Sequence, residues 1–450
     1  MWNSIFSLLS PPVSYTTQKK SGDEKNQLYN EDRPVHEWYR FVLSYPPHLV
    51  RDYIDRFQLG EEHRVLDPFC GTGTTLVECK RQGVESVGLE ANPVVAFAAA
   101  TKTDWEVDPD GLVDYATRIA STARDTLKAE GIRDDPLFEP LDAEPPEYRT
   151  VNAEKQRLLI KNSISERPLH KVLILQEAME QHRDPAYHRY VRLALAKELV
   201  YSIGNLRFGP EVGVGTIKED VPVVHIWLDA VRAIARDLRQ MARAQRAEAP
   251  PATVHETDAR SMGAHIAPQS IDAVITSPPY PNEKDYSRTT RLESVVLGFM
   301  NTRKDLRTHK KRLIRSNTRG VYVADTDDEW VANFPRVQQL ADRIENKRLE
   351  LGKTSGFEKQ YHRVVRLYFG GMARHLEQLK PLLRPGAELA YVVGDQASYF
   401  RILIETGTLL AHIAEHLGYE VTNIDLFRTR FSTTTKNELR EEVVRLKWNG

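Results

Sequence analysis

The sequence predicts an α/β protein built on a doubly wound sheet of seven strands. Short apolar runs with strand character recur along the chain, and stretches with helical character lie between them. This alternation is typical of a sheet covered by helices on both faces. The 450 residues are enough for one large α/β domain that carries inserted segments.

Seven segments predict the strands: His63–Leu66, Ser86–Glu90, Ala252–Glu256, Ile271–Ile275, Glu388–Val393, Glu420–Leu426 and Glu442–Lys447. The second and third strands are too far apart for a single crossover helix, so we expect a large, mostly helical insertion over residues 105–251. Its clearest helix is Val223–Arg246, and Glu248–Ala252 has the composition of a closing linker. A second, basic insertion is expected near residues 301–356. These breaks divide the chain into residues 1–104, 105–251 and 252–450.

Charge and cysteine content limit the classes of function. The 62 basic and 63 acidic residues give a net charge of -1, so contact with a polyanion requires a local basic patch. Two cysteines, Cys70 and Cys79, cannot form a disulfide framework or a zinc cluster, and free thiols suit a reducing cytosol. The apolar segment Met1–Ser10 carries no basic residue ahead of its short hydrophobic run, and this run is too short to span a bilayer. We therefore expect a cytoplasmic protein with no metal site, signal peptide or transmembrane helix.

The segment Asp67–Thr75 (DPFCGTGTT) follows the first strand. Gly71 and Gly73 permit a tight turn whose backbone can approach a ligand closely, and Thr74–Gln82 predicts the helix that follows. A third glycine at the dinucleotide spacing and the Gly-Lys-Ser/Thr ending of a phosphate loop are both missing, which weakens nicotinamide and ATP interpretations. The pattern favours a different cofactor cradle, with an ordinary tight turn as the alternative.

Acidic residues follow two further strands. Glu90 ends the second strand, where a carboxylate can accept hydrogen bonds from ribose hydroxyls, and Asn92-Pro93 then starts a helix. Asp258 follows the third strand. The alternative for each acid is a solvated strand end.

The segment Thr276–Tyr280 (TSPPY) follows the fourth strand. Asp67–Thr75 resembles motif I and Thr276–Tyr280 resembles motif IV of the amino-methyltransferases, which methylate exocyclic amines of nucleic-acid bases. This resemblance implies a class I methyltransferase (Rossmann-like) sheet and S-adenosylmethionine as the cofactor. It implies a cofactor pocket built from Tyr45, Asp67, Phe69, Gly71, Gly73, Thr74, Glu90, Asn92 and Asp258, with Asp258 against the adenine amino group.

The segment that contains Tyr45, Arg40–Val50, resembles motif X of the same family, although a turn that starts a helix is equally compatible with it. The resemblance also assigns residues 1–104 to the N-terminal arm and the cofactor-binding half of the domain. Residues 252–450 then form the catalytic half.

The catalytic residues expected are Ser277, Pro278, Pro279 and Tyr280. An exocyclic amine is a poor nucleophile until hydrogen bonds draw its lone pair out of the ring, and the hydroxyl of Ser277 and the carbonyl of Pro278 can accept them. The two prolines stiffen the backbone, and Tyr280 offers a face on which the base can stack. Members of the family extrude the base from the duplex before reaction. A simple polyproline turn is the alternative.

The resemblance favours DNA cytosine-N4 methylation in a restriction-modification or defence system, because a Ser-Pro-Pro-Tyr motif is associated with that base. Adenine-N6 methylation of DNA, methylation of an RNA base, and a nucleic-acid-binding subunit without turnover stay open. Cytosine-C5 chemistry is excluded, because it needs a cysteine in a Pro-Cys context and neither Cys70 nor Cys79 has one.

Candidate contacts with nucleic acid follow the second motif. Tyr286, Arg288 and Arg291 are expected near the substrate opening. Lys310, Lys311 and Arg312 belong to the basic run Arg303–Arg319, which suits a sugar-phosphate backbone or is simply a solvated helix face.

The motif order places the cofactor half before the catalytic half, as in the α and γ groups of the family. In the α group the recognition domain falls between motifs III and IV, whereas the large insertion of this chain falls between motifs II and III, which follow the second and third strands at Glu90 and Asp258. Because of its size, the segment 105–251 is the candidate target-recognition region, and a dimerisation or partner-docking role is the alternative.

Overall fold

The computed structural model describes residues 27–40, 44–135, 147–209, 211–244, 249–431, 436 and 438–450. Its strands are β1 Arg64–Asp67, β2 Glu85–Glu90, β3 Leu206–Arg207, β4 Gly213–Val214, β5 Ala252–Glu256, β6 Ile271–Thr276, β7 Leu383–Gly394, β8 Glu420–Phe431 and β9 Glu438–Lys447. Seven of them form one sheet in the order β5-β2-β1-β6-β7-β9-β8, and β3 pairs with β4 in a separate hairpin. Within this sheet β9 runs in the direction opposite to the other six strands. The predicted seven-stranded class I methyltransferase sheet is confirmed.

The helices are α1 Arg33–His36, α2 Pro47–Arg56, α3 Thr74–Arg81, α4 Pro93–Lys102, α5 Pro109–Ala129, α6 Ala153–Leu158, α7 Glu166–Gln181, α8 His188–Glu198, α9 Val223–Ala244, α10 Tyr286–Thr289, α11 Arg291–Val296, α12 Arg303–Arg312, α13 Pro335–Glu350, α14 Tyr361–Leu379 and α15 Thr406–His416. A π-helical turn, Leu199–Ile203, follows α8, and a 3-10 helix, Asp327–Val331, lies between α12 and α13. Local sequence explains several of these starts. Proline occupies the first turn of α2, α4, α5 and α13, where its missing N–H is tolerated.

The central strands are buried on both faces. Val65 and Ala273 face a core that includes Val50 and Ile54 of α2, whereas Leu66 and Val274 face a second core. The second core also contains apolar residues of α13, α14 and α15. Because successive residues of a strand point to opposite faces, the sheet is the middle layer between two layers of helices.

Most of the segment 105–251 is helical. Residues of α5, α7, α8 and α9 form a third core around Trp227, whose indole N–H donates to the carbonyl of Val191 at 2.9 Å. Trp38, Leu292 and Val296 from outside this segment join the same core. The segment therefore packs against the rest of the protein through a continuous apolar interface.

The apolar segment at residues 1–10 lies outside the described residues, as do positions 41–43 of the motif X candidate. Glu248 of the predicted linker also lies outside them. Among the residues that the structure describes, no helix is long and apolar enough to cross a membrane.

Candidate active site

A cleft of about 930 Å³ opens at the carboxyl ends of β1, β2, β5 and β6. This is the edge at which doubly wound sheets bind ligands. Both predicted motifs contribute to its lining. The predicted residues that line it are Tyr45, Phe69, Gly71, Thr74, Glu90, Asn92, Asp258, Ser277, Pro278, Pro279, Tyr280, Tyr286 and Arg312.

The turn between β1 and α3 is formed by its two glycines. Gly71 has φ +51° and Gly73 has φ +83°, in the left-handed region that disfavours residues with a side chain. A Cβ at Gly73 would lie 3.2 Å from the Cβ of Ala99, so α4 packs directly against the turn. Beside the turn, Phe69 lines the cleft and meets the ring of His375 edge-on, with the ring centroids 4.9 Å apart. The backbone of the turn therefore forms one wall of the cleft.

Glu90 holds this turn from the next strand. Its carboxylate accepts hydrogen bonds from the backbone N–H of Gly71 at 3.1 Å and of Asn92 at 2.7 Å. Burial raises the pKa of Glu90 to about 7, although these hydrogen bonds act in the opposite direction. Asn92 is itself fixed, because its side-chain amide donates to Thr290 at 2.9 Å. Glu90 thus presents a titratable carboxyl to the cleft.

Asp258 lines the cleft with its carboxylate held by a neighbouring guanidinium. Arg260 donates from Nε to Oδ1 at 2.9 Å and from Nη2 to Oδ2 at 2.7 Å. Burial acts to lower the pKa of Arg260, but its hydrogen bonds and ion pairs with Asp258 and Asp327 outweigh burial and raise the pKa overall. Asp258 is therefore a fixed, charge-compensated acceptor.

Asp67 lies behind the described cleft lining and is fully buried. Its carboxylate accepts hydrogen bonds from Tyr45 at 3.0 Å, Thr75 at 2.6 Å, Thr276 at 2.6 Å and the backbone N–H of Phe69 at 3.1 Å. Tyr45 also contacts Thr75 directly through a short hydroxyl pair. Asp67 thus connects the motif X candidate, the first motif and the end of β6, so its contacts differ from those expected of a residue that touches cofactor.

The segment Ser277–Tyr280 enters the cleft at the end of β6. The hydroxyl of Ser277 donates to the carbonyl oxygen of Val392 on β7 at 3.2 Å. The hydroxyl of Tyr280 donates to Glu441 on β9 at 3.0 Å, and Glu441 is paired with Arg428 of β8. Gly394 allows the ring of Tyr280 to lie close, since a Cβ there would be 3.1 Å from that ring. Strands β7, β8 and β9 therefore hold this segment.

The predicted contacts after the second motif separate into two groups. Tyr286 lines the cleft. Arg288 instead donates to the carbonyl of Val212 at 3.1 Å, and Arg291 donates to Ser287 and to the carbonyl of Leu158. These two arginines connect α10 and α11 to the segment 105–251, and neither belongs to the described cleft lining.

The basic run forms α12, which begins with a capping box between Thr302 and Asp305. Lys310 is paired with Asp285 at 2.9 Å, and Arg312 with Glu256 at 2.8 Å. Lys311 lies over the ring of Tyr322, with its Nζ 5.9 Å from the ring centroid. Of these three cations, Arg312 reaches the cleft.

Sequence reasoning missed a set of residues on the outer wall of the cleft. They come from the second insertion, the loop after β7 and the β8–β9 pair: Leu313, Ile314, Lys353, Glu358, Tyr361, Gln396, Ser398, Phe400, Arg401, Arg428, Arg430 and Glu441. Phe400 and Arg401 have φ of 52° and 63°, an uncommon conformation for residues with side chains. The one available sequence signal was the alternation of arginine in Arg428-Thr-Arg430, which places both cations on one face of a strand.

Comparison with known proteins agrees with this geometry. The sequence profile of a family described as DNA methylase, of the N6/N4 type, matches residues 6–100, which include the first motif. The chain is therefore similar to this family in its N-terminal part. Similarity to methyltransferases implies a methyl donor.

Two similar proteins match the chain over most of its length. The type II methyltransferase M.BsoBI of Geobacillus stearothermophilus is 25% identical over 436 residues, which cover 89% of this chain and 82% of the relative. The type II methyltransferase M.AvaI of Nostoc sp. strain PCC 7120 is 23% identical over 412 residues, covering 88% and 81%. A tRNA (guanine(10)-N2)-dimethyltransferase of Methanothermobacter thermautotrophicus is 30% identical over 113 residues, but the match covers only 24% of this chain and 32% of the relative.

Proposed function

We propose that this protein is an S-adenosylmethionine-dependent DNA methyltransferase that acts on an exocyclic amine, with cytosine N4 as the preferred target. The observation that carries the proposal is the shared cleft: Ser277 and Tyr280 line the same cavity as Glu90 and Asp258. A methyl acceptor and a nucleoside cofactor could therefore meet within one cleft, which is the main requirement for direct transfer.

The residues of the inner cleft fit S-adenosylmethionine. The turn at Gly71 brings backbone close to the cavity, Glu90 can accept hydrogen bonds from ribose hydroxyls, and Asp258 can accept one from the adenine amine. Phe69 provides an aromatic surface beside them. When bound, the cofactor would supply an electrophilic methyl group on a sulfonium centre.

Ser277 is oriented as an acceptor. Because its hydroxyl proton is donated to the carbonyl of Val392, lone pairs on Oγ remain to receive a proton of the target amine. The carbonyl of Pro278 can provide a second acceptor, and Pro279 keeps that backbone stiff. Tyr280, held by Glu441, can stack on the base. These contacts would draw the amine lone pair out of conjugation, so that it could form a bond to the methyl carbon as the bond from that carbon to sulfur broke. S-Adenosylhomocysteine would be the leaving group, and the methylated amine would then lose one proton to solvent.

DNA is the proposed substrate because the type II methyltransferases match nearly the whole chain. The same relatives favour a restriction-modification role. The basic side chains of the outer cleft favour a polyanionic substrate. They are Lys284, Arg401, Arg428 and Arg430. Extrusion of the base from the duplex would bring its amine to Ser277.

An RNA base remains the second candidate substrate, favoured by the local similarity to the tRNA enzyme. Nucleoside mass spectrometry on DNA and RNA from cells that express the chain distinguishes the candidates. We expect N4-methylcytosine in DNA. Detection of N6-methyladenine in DNA would leave the mechanism in place and change the target base from cytosine to adenine. A modified base found only in RNA would overturn the choice of DNA as the substrate.

Replacement of Ser277 by alanine tests the catalytic assignment. We expect kcat to fall by about a hundredfold or more with little change in cofactor affinity, because the missing acceptor acts mainly in the transition state. Ser270→Ala is the matched control, since Ser270 precedes the opposite end of β6 and its hydroxyl donates to Ala267. Full methylation activity in Ser277→Ala would remove the catalytic role.

A further inference from the structure

Arg260 connects the cleft to the second insertion. It is buried, and its guanidinium lies between Asp258 at the cleft and Asp327 of the 3-10 helix Asp327–Val331. We propose that Arg260 and Asp327 are positioning residues: they fix the carboxylate of Asp258 and so determine how well the site recognises the adenine amine of the cofactor. This inference rests on the proposed S-adenosylmethionine pocket.

The contact between Arg260 and Asp258 fixes both position and orientation. The guanidinium reaches both carboxylate oxygens, and the backbone N–H of Arg260 also donates to Oδ1 at 2.9 Å. Such a forked contact sets the plane of a carboxylate, which a single point charge does not. The Nε–H is shared between Oδ1 at 2.9 Å and Oδ2 at 3.2 Å, so three N–H groups of Arg260 serve the carboxylate and Oδ2 keeps acceptor capacity for a donor in the cleft.

Arg260 is held in turn by the second insertion. Its Nη1 contacts Asp327, and its Nη2 donates to the carbonyl of Lys311 at 3.0 Å. Arg312, Leu313 and Ile314 come directly after Lys311 and line the cleft. One guanidinium therefore fixes the cleft wall formed by the insertion relative to Asp258.

Asp327 has little freedom to move. A Cβ at Gly370 of α14 would lie 1.8 Å from the backbone oxygen of Asp327, so the two backbones are in direct contact. Arg374 of α14 also donates to the carboxylate of Asp327 at 3.2 Å. The position of Asp258 is thus determined through Arg260 by helix α14, which lies in a different part of the sequence.

A second ion pair in the same insertion provides a matched control. Arg315 is buried and donates to both oxygens of Asp325, from Nε at 2.9 Å and from Nη2 at 2.7 Å. This pair resembles the contact between Arg260 and Asp258, but the other hydrogen bonds of the Arg315 guanidinium go to backbone carbonyls of residues 310–313. Arg315 shares the carbonyl of Lys311 with Arg260, but the carboxylate of Asp325 accepts from neither Arg260 nor any group that binds Asp258. Asp325→Asn therefore reports what the loss of such a pair does while the direct contacts of Asp258 stay in place.

The experiment compares Asp327→Asn with Asp325→Asn by calorimetry, using S-adenosylhomocysteine and its inosine analogue, in which an oxygen replaces the adenine amine. The intact protein should prefer the adenosine form. We expect Asp327→Asn to reduce that preference by about fivefold or more, a typical energetic coupling between linked groups, and Asp325→Asn to leave it unchanged. In an Asp258→Asn background, Asp327→Asn should cause no further change.

Folding and cofactor binding are checked separately. Urea unfolding of each variant establishes that it is folded, and Arg260→Lys, which keeps the charge and loses the fork, replaces Asp327→Asn if that variant does not fold. An unchanged adenosine preference in the folded variant, or an equal loss in Asp325→Asn, would overturn the inference while leaving the pocket in place. Failure of the intact protein to bind S-adenosylmethionine would instead overturn the proposed function, and the inference with it.

Discussion

The acids at the ends of neighbouring strands have different environments. At the end of β1, Asp67 is fully buried and accepts four hydrogen bonds from protein groups, which join β1 to the end of β6. At the ends of β2 and β5, Glu90 and Asp258 line the cleft. All three acids follow an apolar strand and look alike in the sequence. The comparison shows that an acid at a strand end can serve either to join segments of the chain or to line a cleft.

Removal of Asp67 should have the largest effect on stability. Asp67→Ala would leave two threonine hydroxyls, a tyrosine hydroxyl and a backbone N–H without their acceptor in a buried place. We expect a loss of about 3 kcal/mol or more in the free energy of unfolding, measured by urea denaturation. Asp272→Ala is the control, because Asp272 on β6 also accepts from a backbone N–H, that of Arg64, but lies nearer the surface. Similar losses of unfolding free energy in the two variants would show that Asp67 has no special role in joining these segments.

Glu90, which lines the cleft, should respond to pH instead. Because burial raises the pKa of Glu90 from 4.5 to about 7, the folded protein binds more protons than the unfolded chain between these values. The contribution of Glu90 to stability is therefore present at low pH and is lost as the pH rises to about 7. Ribose hydroxyls donate best to the ionised carboxylate, so cofactor affinity should rise by up to about tenfold between pH 6 and pH 8.

Calorimetry across this pH range tests the role of Glu90. Glu90→Gln should bind S-adenosylmethionine weakly and with a flat pH profile. Glu293→Gln is the control, since Glu293 is also buried with its pKa raised to about 7, but it is bonded to Tyr39 and lies outside the described cleft lining. If the rise in affinity persists in Glu90→Gln, another group is responsible for it.

The smallest expected effect concerns DNA binding by the basic residues of α12. Lys310 and Arg312 are already paired with Asp285 and Glu256, so neutralising them together with Lys311 should weaken DNA binding only a few fold. The salt dependence of binding should become flatter, by about one unit of slope for each phosphate that these side chains no longer neutralise, without a change in the methylated site. Lys284→Ala with Arg430→Ala is the comparison, because both residues line the cleft. An unchanged slope in the α12 variant would make this helix an ordinary solvated surface.

The sequence predicted the framework because the sheet strands are apolar and regularly placed. Each of the seven predicted segments overlaps a strand. The prediction for β7 began too late, at Glu388 instead of Leu383, because Arg384-Pro385-Gly386 has the composition of a turn. β8 continues to Phe431 through polar residues that pair with β9 at the edge of the sheet. The hairpin of β3 and β4 has strands of two residues, too short for any periodic pattern.

The site was less predictable, because its contacts join distant segments. No local pattern shows that Tyr45, Thr75 and Thr276 converge on Asp67, or that Arg260 reaches Asp327. The basic run around Lys310 suggested phosphate contacts because charge is visible in a sequence, whereas the acidic partners of that run are not. Whether α12 binds DNA stays a prediction.

The order of strands in the sheet constrains the synthesis of the protein. β9 lies between β7 and β8, although the ribosome makes it after both. Until residues 438–447 have left the ribosome, β8 has no partner in this sheet and the edge of β7 is unpaired. Glu441, the partner of Tyr280, arrives with that same strand. A nascent chain that has already made the turn at Gly71 and Gly73 would therefore still lack the hydrogen-bond partner of Tyr280, so the proposed methyl transfer would begin only after β9 has been inserted.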